Sequence, residues 1–227
     1  MKRSSVFRLV LSGVMLALAF ALSFVKIPWL PYGGSVTLFS MVPIVFIGCV
    51  YGPVWGLVVG VAYSLLQTFQ SAVFSQSFVG QNWWQVILML LFDFVLAFSV
   101  LGLGGMFITK KNIGTKAAPW LAAGGAAVVT LARYCCHTIS GYILFGEWAE
   151  WFFTDEWVNS FSEWIMGNFS GKGLAFVYSL VYNGLYMIPE IVITTVGIFI
   201  VMAVLTGIKA TRKRIVGERQ VPLFPGK

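Results

Sequence analysis

Six long apolar runs, at residues 9–25, 38–51, 53–74, 84–108, 117–145 and 174–208, leave this chain little choice of solvent. Only 10% of its 227 residues are charged while 59% are hydrophobic, too few polar side chains to clothe a water-soluble globule, so the bilayer must be its main solvent. A spanning helix takes roughly 20 residues plus a connection. The runs therefore predict an all-α, polytopic membrane protein with six transmembrane helices, read as a single integral membrane domain over 1–227. The second run is short and abuts the third at Gly52-Pro53, which predicts a tight turn and an antiparallel pair of helices. The last run is long for one span and contains Pro189, so a kink or a projection beyond the membrane is expected. The basic head and apolar stretch at the start, with Ala19-Phe20-Ala21, also fit a secretory leader. That match lies inside the apolar run and further spans follow it, so the segment reads as a retained first helix.

The net charge of +7 is a matter of location. Twelve cations, Lys2, Arg3, Arg8, Lys110, Lys111, Lys116, Lys209, Arg212, Lys213, Arg214, Arg219 and Lys227, flank the runs on one side, and the opposite connections carry only Lys26 and Lys172. The positive-inside rule then puts both termini in the cytoplasm, with 209–227 as a basic cytoplasmic tail. No basic stripe is interleaved with aromatics, so no nucleic-acid partner is expected. Cys49, Cys135 and Cys136 lie in apolar runs without paired spacing and read as buried small hydrophobes. Cys135, Cys136 and His137 diverge by about 100° per residue on a helix, so they predict no metal site. Gly167 to Gly173 falls short of a phosphate loop, with three intervening residues instead of four and Gly173 where a hydroxyl residue belongs. Any ATP used must be bound by another chain.

On the side away from the basic loops, residues 146–173 alternate acids with Trp148, Trp151, Phe152, Phe153, Trp157, Phe161 and Trp164. They predict an amphipathic helix lying at the interface, or a cover over a site. Residues 26–36, with Pro28, Pro31, Gly33 and Gly34, predict a loop that could also cover one. Asp93, Arg133, His137 and Glu190 lie within apolar runs, joined by Tyr178 and Asn183. Ionisable groups at such depth face a protein interior or a ligand. Counted along their helices, Asp93, His137, Asn183 and Glu190 fall in the outer half of the membrane. They suit a pocket open to the outside, rimmed by Trp29, Tyr32, Phe145 and Trp148. The other reading is an internal network in which Asp93 or Glu190 pairs with Arg133 and a carbonyl satisfies His137. Gly13, Ala17 and Ala21 recur every four residues as a small-residue ridge, as do Gly56 and Gly60. Internal packing is the first explanation of both, although a ridge on the terminal helix could receive another subunit. No nucleophile and base occur at a workable spacing, so no enzyme is expected.

Four stretches, Gly33-Gly-Ser-Val-Thr-Leu-Phe-Ser-Met-Val-Pro43, Leu91-Phe-Asp-Phe-Val-Leu-Ala-Phe98, Arg133-Tyr-Cys-Cys-His-Thr-Ile-Ser-Gly141 and Tyr178-Ser-Leu-Val-Tyr-Asn-Gly184, resemble the thiamine-specific S components of energy-coupling factor (ECF) transporters. The resemblance runs in order through nearly every span. It implies a six-helix subunit of the cell membrane that binds thiamine as transported ligand and joins a transmembrane coupling protein and two cytoplasmic ATPases. It also implies that Asp93 meets the aminopyrimidine ring, that His137, Tyr178 and Asn183 line the pocket, and that aromatics near Phe145 stack on the ligand, with Phe94 and Trp148 as further binding candidates. Gly13, Ala17 and Ala21 would face the coupling protein. The family pattern has Glu, Tyr and Trp where this chain has Asp93, Phe94 and Phe145, and a shorter fifth loop. Thiamine's chemistry agrees with the residues present, since its thiazolium cation would gain about 0.5 to 2 kcal/mol from each aromatic face. The alternatives are an S component for another vitamin or a thiamine precursor, and a self-sufficient transporter that cycles protons on Asp93 and Glu190.

Overall fold

The computed structural model describes residues 3–28, 34–75 and 77–220, with the backbone alone at 3–5. Each apolar run folds as a helix. In chain order the helices are α1 (Arg3–Leu22), α2 (Val42–Tyr51), α3 (Pro53–Gln70, continued by a π turn at Ser71–Ser75), α4 (Trp83–Gly105), α5 (Ala118–Phe145), α6 (Ser160–Asn168), α7 (Gly171–Gly207) and α8 (Lys209–Gln220), of which α6 and α8 lie outside the apolar runs. The segments Pro53–Ser75, Trp83–Gly105, Ala118–Glu156 and Gly171–Gly207 are long and apolar enough to cross a membrane, whereas α1 and α2 offer shorter apolar stretches. Leu65, Trp120, Ile188 and Val204 are exposed on these helices. A soluble monomer would not present that much apolar surface, so lipid is its solvent and the chain is a multi-pass membrane protein.

The short second helix lies in the middle of the bundle. All ten residues of α2 are buried, as a helix that is apolar all round requires. It turns into α3 at Gly52, whose φ of 102° suits a residue without a Cβ, and Pro53 then opens α3. Behind this pair, α4 tightens to a 3-10 stretch at Val100–Gly105. Glycines let the backbones touch there. A Cβ on Gly102 would overlap the Gly56 carbonyl, one on Gly105 that of Gly48, and one on Gly125 that of Gly104. The ridge at Gly56 and Gly60 is thus internal, packed on Gly102 and Ser99. The ridge of α1 is not: Gly13, Ala17 and Ala21 are exposed, and a Cβ on Gly13 would meet nothing.

Three further readings need correction. Residues 26–36 are not simply a loop, because Lys26–Pro28 (β1) pairs antiparallel with Ser35–Thr37 (β2), Lys26 opposite Thr37. Cys49 is buried, but Cys135 is exposed and Cys136 only half-buried on α5. Residues 146–173 do not form one helix at an interface. They make short helical turns and α6, and they bury Phe152, Phe153 and Ile165 against Leu174 and Tyr178 of α7. An aromatic-rich segment can bury more area by folding onto a neighbouring helix than by lying flat, and here it does so. Helix α7 runs through Pro189 without interruption, and the excess length of the last run ends at Ile208, where the chain turns into α8.

Arg219 of α8 donates to the carbonyls of Gly48 and Ile108, and Arg214 stacks on Phe7 at 4.0 Å. The start of α1, the α2–α3 turn, the α4–α5 connection and the basic α8 therefore meet at one end of the bundle.

Candidate ligand-binding cavity

At the other end a cavity of about 620 Å³ opens between β2, the turn after α3, and helices α4, α5 and α7. Asp93, Phe94, His137, Phe145, Trp148, Tyr178 and Asn183 all line it, together with Arg133 and Glu190. Trp29 and Tyr32, expected at the rim, lie outside the described residues.

Asp93 sits in a π turn of α4, Leu90–Leu96, in the middle of a spanning segment. Such turns interrupt regular α-helix mostly at functional sites. Its carboxylate faces α5, where Arg133, His137 and Ser140 share one face because they are spaced by four and three residues. His137 Nδ1 lies 2.8 Å from Asp93 Oδ1, and Ser140 donates to Oδ2 at 2.5 Å. Arg133 Nε donates to His137 Nε2 at 3.1 Å. A guanidinium can only donate, so Nε2 is the acceptor, and the ring proton must lie on Nδ1 and point at Asp93. His137 is thus a neutral imidazole oriented from both sides. The side chains of His137 and Asp93 are 10% and 19% exposed, so the contact is largely shielded from water.

This network corrects the alternative of direct acid–Arg133 pairing. Among the described residues no hydrogen bond or ion pair joins Arg133 to Asp93 or Glu190. Arg133 instead lies over Phe98 at 4.3 Å, reaches Met41 Sδ at 2.9 Å, and touches Asp93 only through His137. Nor does a carbonyl satisfy His137. Its own carbonyl accepts from Asn183 at 3.3 Å, which ties α5 to α7.

Helix α7 supplies a stripe at four-residue spacing: Tyr178, Tyr182, Tyr186 and Glu190. Tyr178 and Tyr182 are 5.7 Å apart, and Phe152 from the 146–173 segment meets Tyr178 at 5.3 Å, which closes this wall from behind. Asn183 is buried. Its amide donates to Ser179 O at 2.8 Å, and its Oδ1 accepts from Tyr186 at 2.6 Å. Glu190 accepts from both the amide and the hydroxyl of Thr37, each at 2.6 Å, and so anchors β2 as a wall of the cavity. Phe94, buried, packs on Phe78 and Phe98 at 5.7 and 6.4 Å.

Several lining residues escaped the sequence reading. Ser140 could have been found as the i+3 neighbour of His137, and Tyr186 as that of Asn183. Gln67, Gln70, Ser71 and Ser75 give the cavity a polar side from the end of α3. They carried no signal, because uncharged polar residues near a helix end usually read as interface.

The chain matches the family described as thiamine transporter protein (Thia_YuaJ) over residues 9–162, well over half its length and ending before α7. It is similar to the thiamine transporter ThiT of Bacillus subtilis (strain 168), with 29% identity over 197 residues covering 83% of this chain and 86% of that one. Its fold is similar to a solved structure of ThiT from Listeria monocytogenes, with a TM-score of 0.64 and 19% identity over 93% of this chain and 98% of the other.

Proposed function

We propose that this chain, which belongs to the thiamine transporter protein family, is the thiamine-binding subunit of an ECF importer. It captures the vitamin in the cavity and passes it inward through a coupling protein driven by two cytoplasmic ATPases. The observation that carries this reading is the oriented Asp93 carboxylate inside an aromatic-walled cavity at membrane depth. An Asp at a helix centre costs roughly 2.5 to 3.5 kcal/mol, a cost that a ligand donor offsets. Asp93 retains acceptor capacity on each oxygen for the aminopyrimidine amino group. His137, Tyr178 and Asn183 hold the pyrimidine end, and Phe94, Phe145 and Trp148 offer ring faces to the thiazolium.

The remaining parts fit the same scheme. Six spans with cytoplasmic termini follow from the twelve-to-two charge asymmetry, and the meeting of α8 with the basic connections at the end away from the cavity supports them. Residues 1–227 then act as one integral domain with 209–227 in the cytoplasm. Gly13, Ala17 and Ala21, exposed on α1, form the ridge against which the coupling protein packs.

The test is a titration of the purified chain with thiamine, read by intrinsic Trp fluorescence, beside its separated pyrimidine and thiazolium halves. Saturable quenching by thiamine at far lower concentration than by either half is expected. Tighter binding of the pyrimidine half would overturn thiamine in favour of a precursor.

A further inference from the structure

Glu190 is only half used by the arrangement above. Asp93 engages both carboxylate oxygens within the protein, one with His137 and one with Ser140. Glu190 engages Oε1 with Thr37, but its Oε2 is buried and has no hydrogen-bond partner among the described residues. The residue is 2% exposed and lines the cavity. A carboxylate oxygen removed from water without a donor is costly, and a positively charged ligand is what would offset it.

The charges of the cavity point the same way. His137 is neutral by its hydrogen bonds, so Asp93 and Glu190 face Arg133 alone at the deep end, which leaves one negative charge uncompensated. Lys26 lies at the mouth, exposed on β1, where solvent screens it. We infer that Glu190 is the charge-selecting residue of the cavity: its free oxygen sets a preference for a monocationic ligand over a neutral one of the same shape, while its other oxygen holds β2 against that ligand. The inference rests on the thiamine reading and names the group that reads the thiazolium charge, as distinct from Asp93 at the pyrimidine.

Purified full-length protein, E190Q and T37V are titrated with thiamine and with the isostere in which carbon replaces the thiazolium nitrogen, giving a neutral thiophene ring. Wild type should prefer the cation by about tenfold or more. E190Q keeps an acceptor for Thr37 but not the charge, and should lower the ratio by about threefold or more, leaving the preference that the aromatic faces supply. T37V keeps the charge and should retain the wild-type ratio even if both ligands bind more weakly. A wild-type ratio near unity overturns the inference without any variant. So does an unchanged ratio in E190Q, or the same loss of both ligands in E190Q and T37V, which would leave Glu190 as an anchor for β2 only. Failure of wild type to bind thiamine at all would instead sink the functional reading.

Discussion

Where α8 closes the bundle, helices meet along glycine backbones and Arg219 covers the carbonyls of Gly48 and Ile108; at the opposite end, they meet through side-chain hydrogen bonds around a cavity. Among the described residues, the three π turns follow the same division. Ser71–Ser75 and Leu90–Leu96 line the cavity, and Phe152–Glu156 packs behind Tyr178. None lies in the glycine seam. Backbone packed on backbone has essentially one arrangement, since a shift in one direction clashes and in the other opens a void. Hydrogen-bonded side chains on widened turns can exchange partners. One end should therefore govern whether the protein folds, and the other what it binds.

The largest expected effect tests the seam. Gly102→Leu places a side chain where the Gly56 carbonyl lies, with no flexible neighbour to give way. It should destabilise by about 3 kcal/mol or more, read as a drop in thermal unfolding temperature of the detergent-solubilised protein. An unchanged Tm would mean that the seam is adaptable and the contrast false.

Asp93→Asn tests the other end. Loss of the charged acceptor should weaken thiamine binding by about ten- to hundredfold, with a smaller effect on folding, because Asn still offers one oxygen to His137 or Ser140. A variant with poor thermal stability whose folded fraction binds normally would make the network structural. Thermal stability and affinity measured on one preparation separate the two.

The smallest effect on binding is expected from Ala17→Leu, outside both regions. Its side chain is exposed, so affinity should stay within about twofold, while uptake and co-purification with the partner complex are lost. Equal loss of binding and assembly would place the ridge inside the bundle's own packing.

Much of the fold was legible because it is local. Hydrophobic run length gave α1 to α5 and α7, and Gly52-Pro53 gave the α2–α3 turn, whereas α6 and the polar α8 carried no such signal. The candidate cavity was legible in outline for a related reason: Asp93, His137 and Asn183 are hard to accommodate in lipid, so their convergence follows from the solvent. What the 146–173 segment would do was not legible, since burying Phe152 and Phe153 on α7 or laying them at an interface satisfies the same composition.

The sequence by itself determined that the chain lives in the bilayer, how many apolar helices it has, and which polar residues must find company there. Only the tertiary structure decided which company. That Arg133 orients His137 and does not pair with Asp93 or Glu190, that the ridge of α1 faces outward while that of α3 is buried, and that Glu190 holds Thr37 all depend on how closely helices distant in sequence approach. Hydrogen bonds discriminate over a few tenths of an ångström, a scale that the glycine contacts and π turns set jointly and that no run of residues encodes alone.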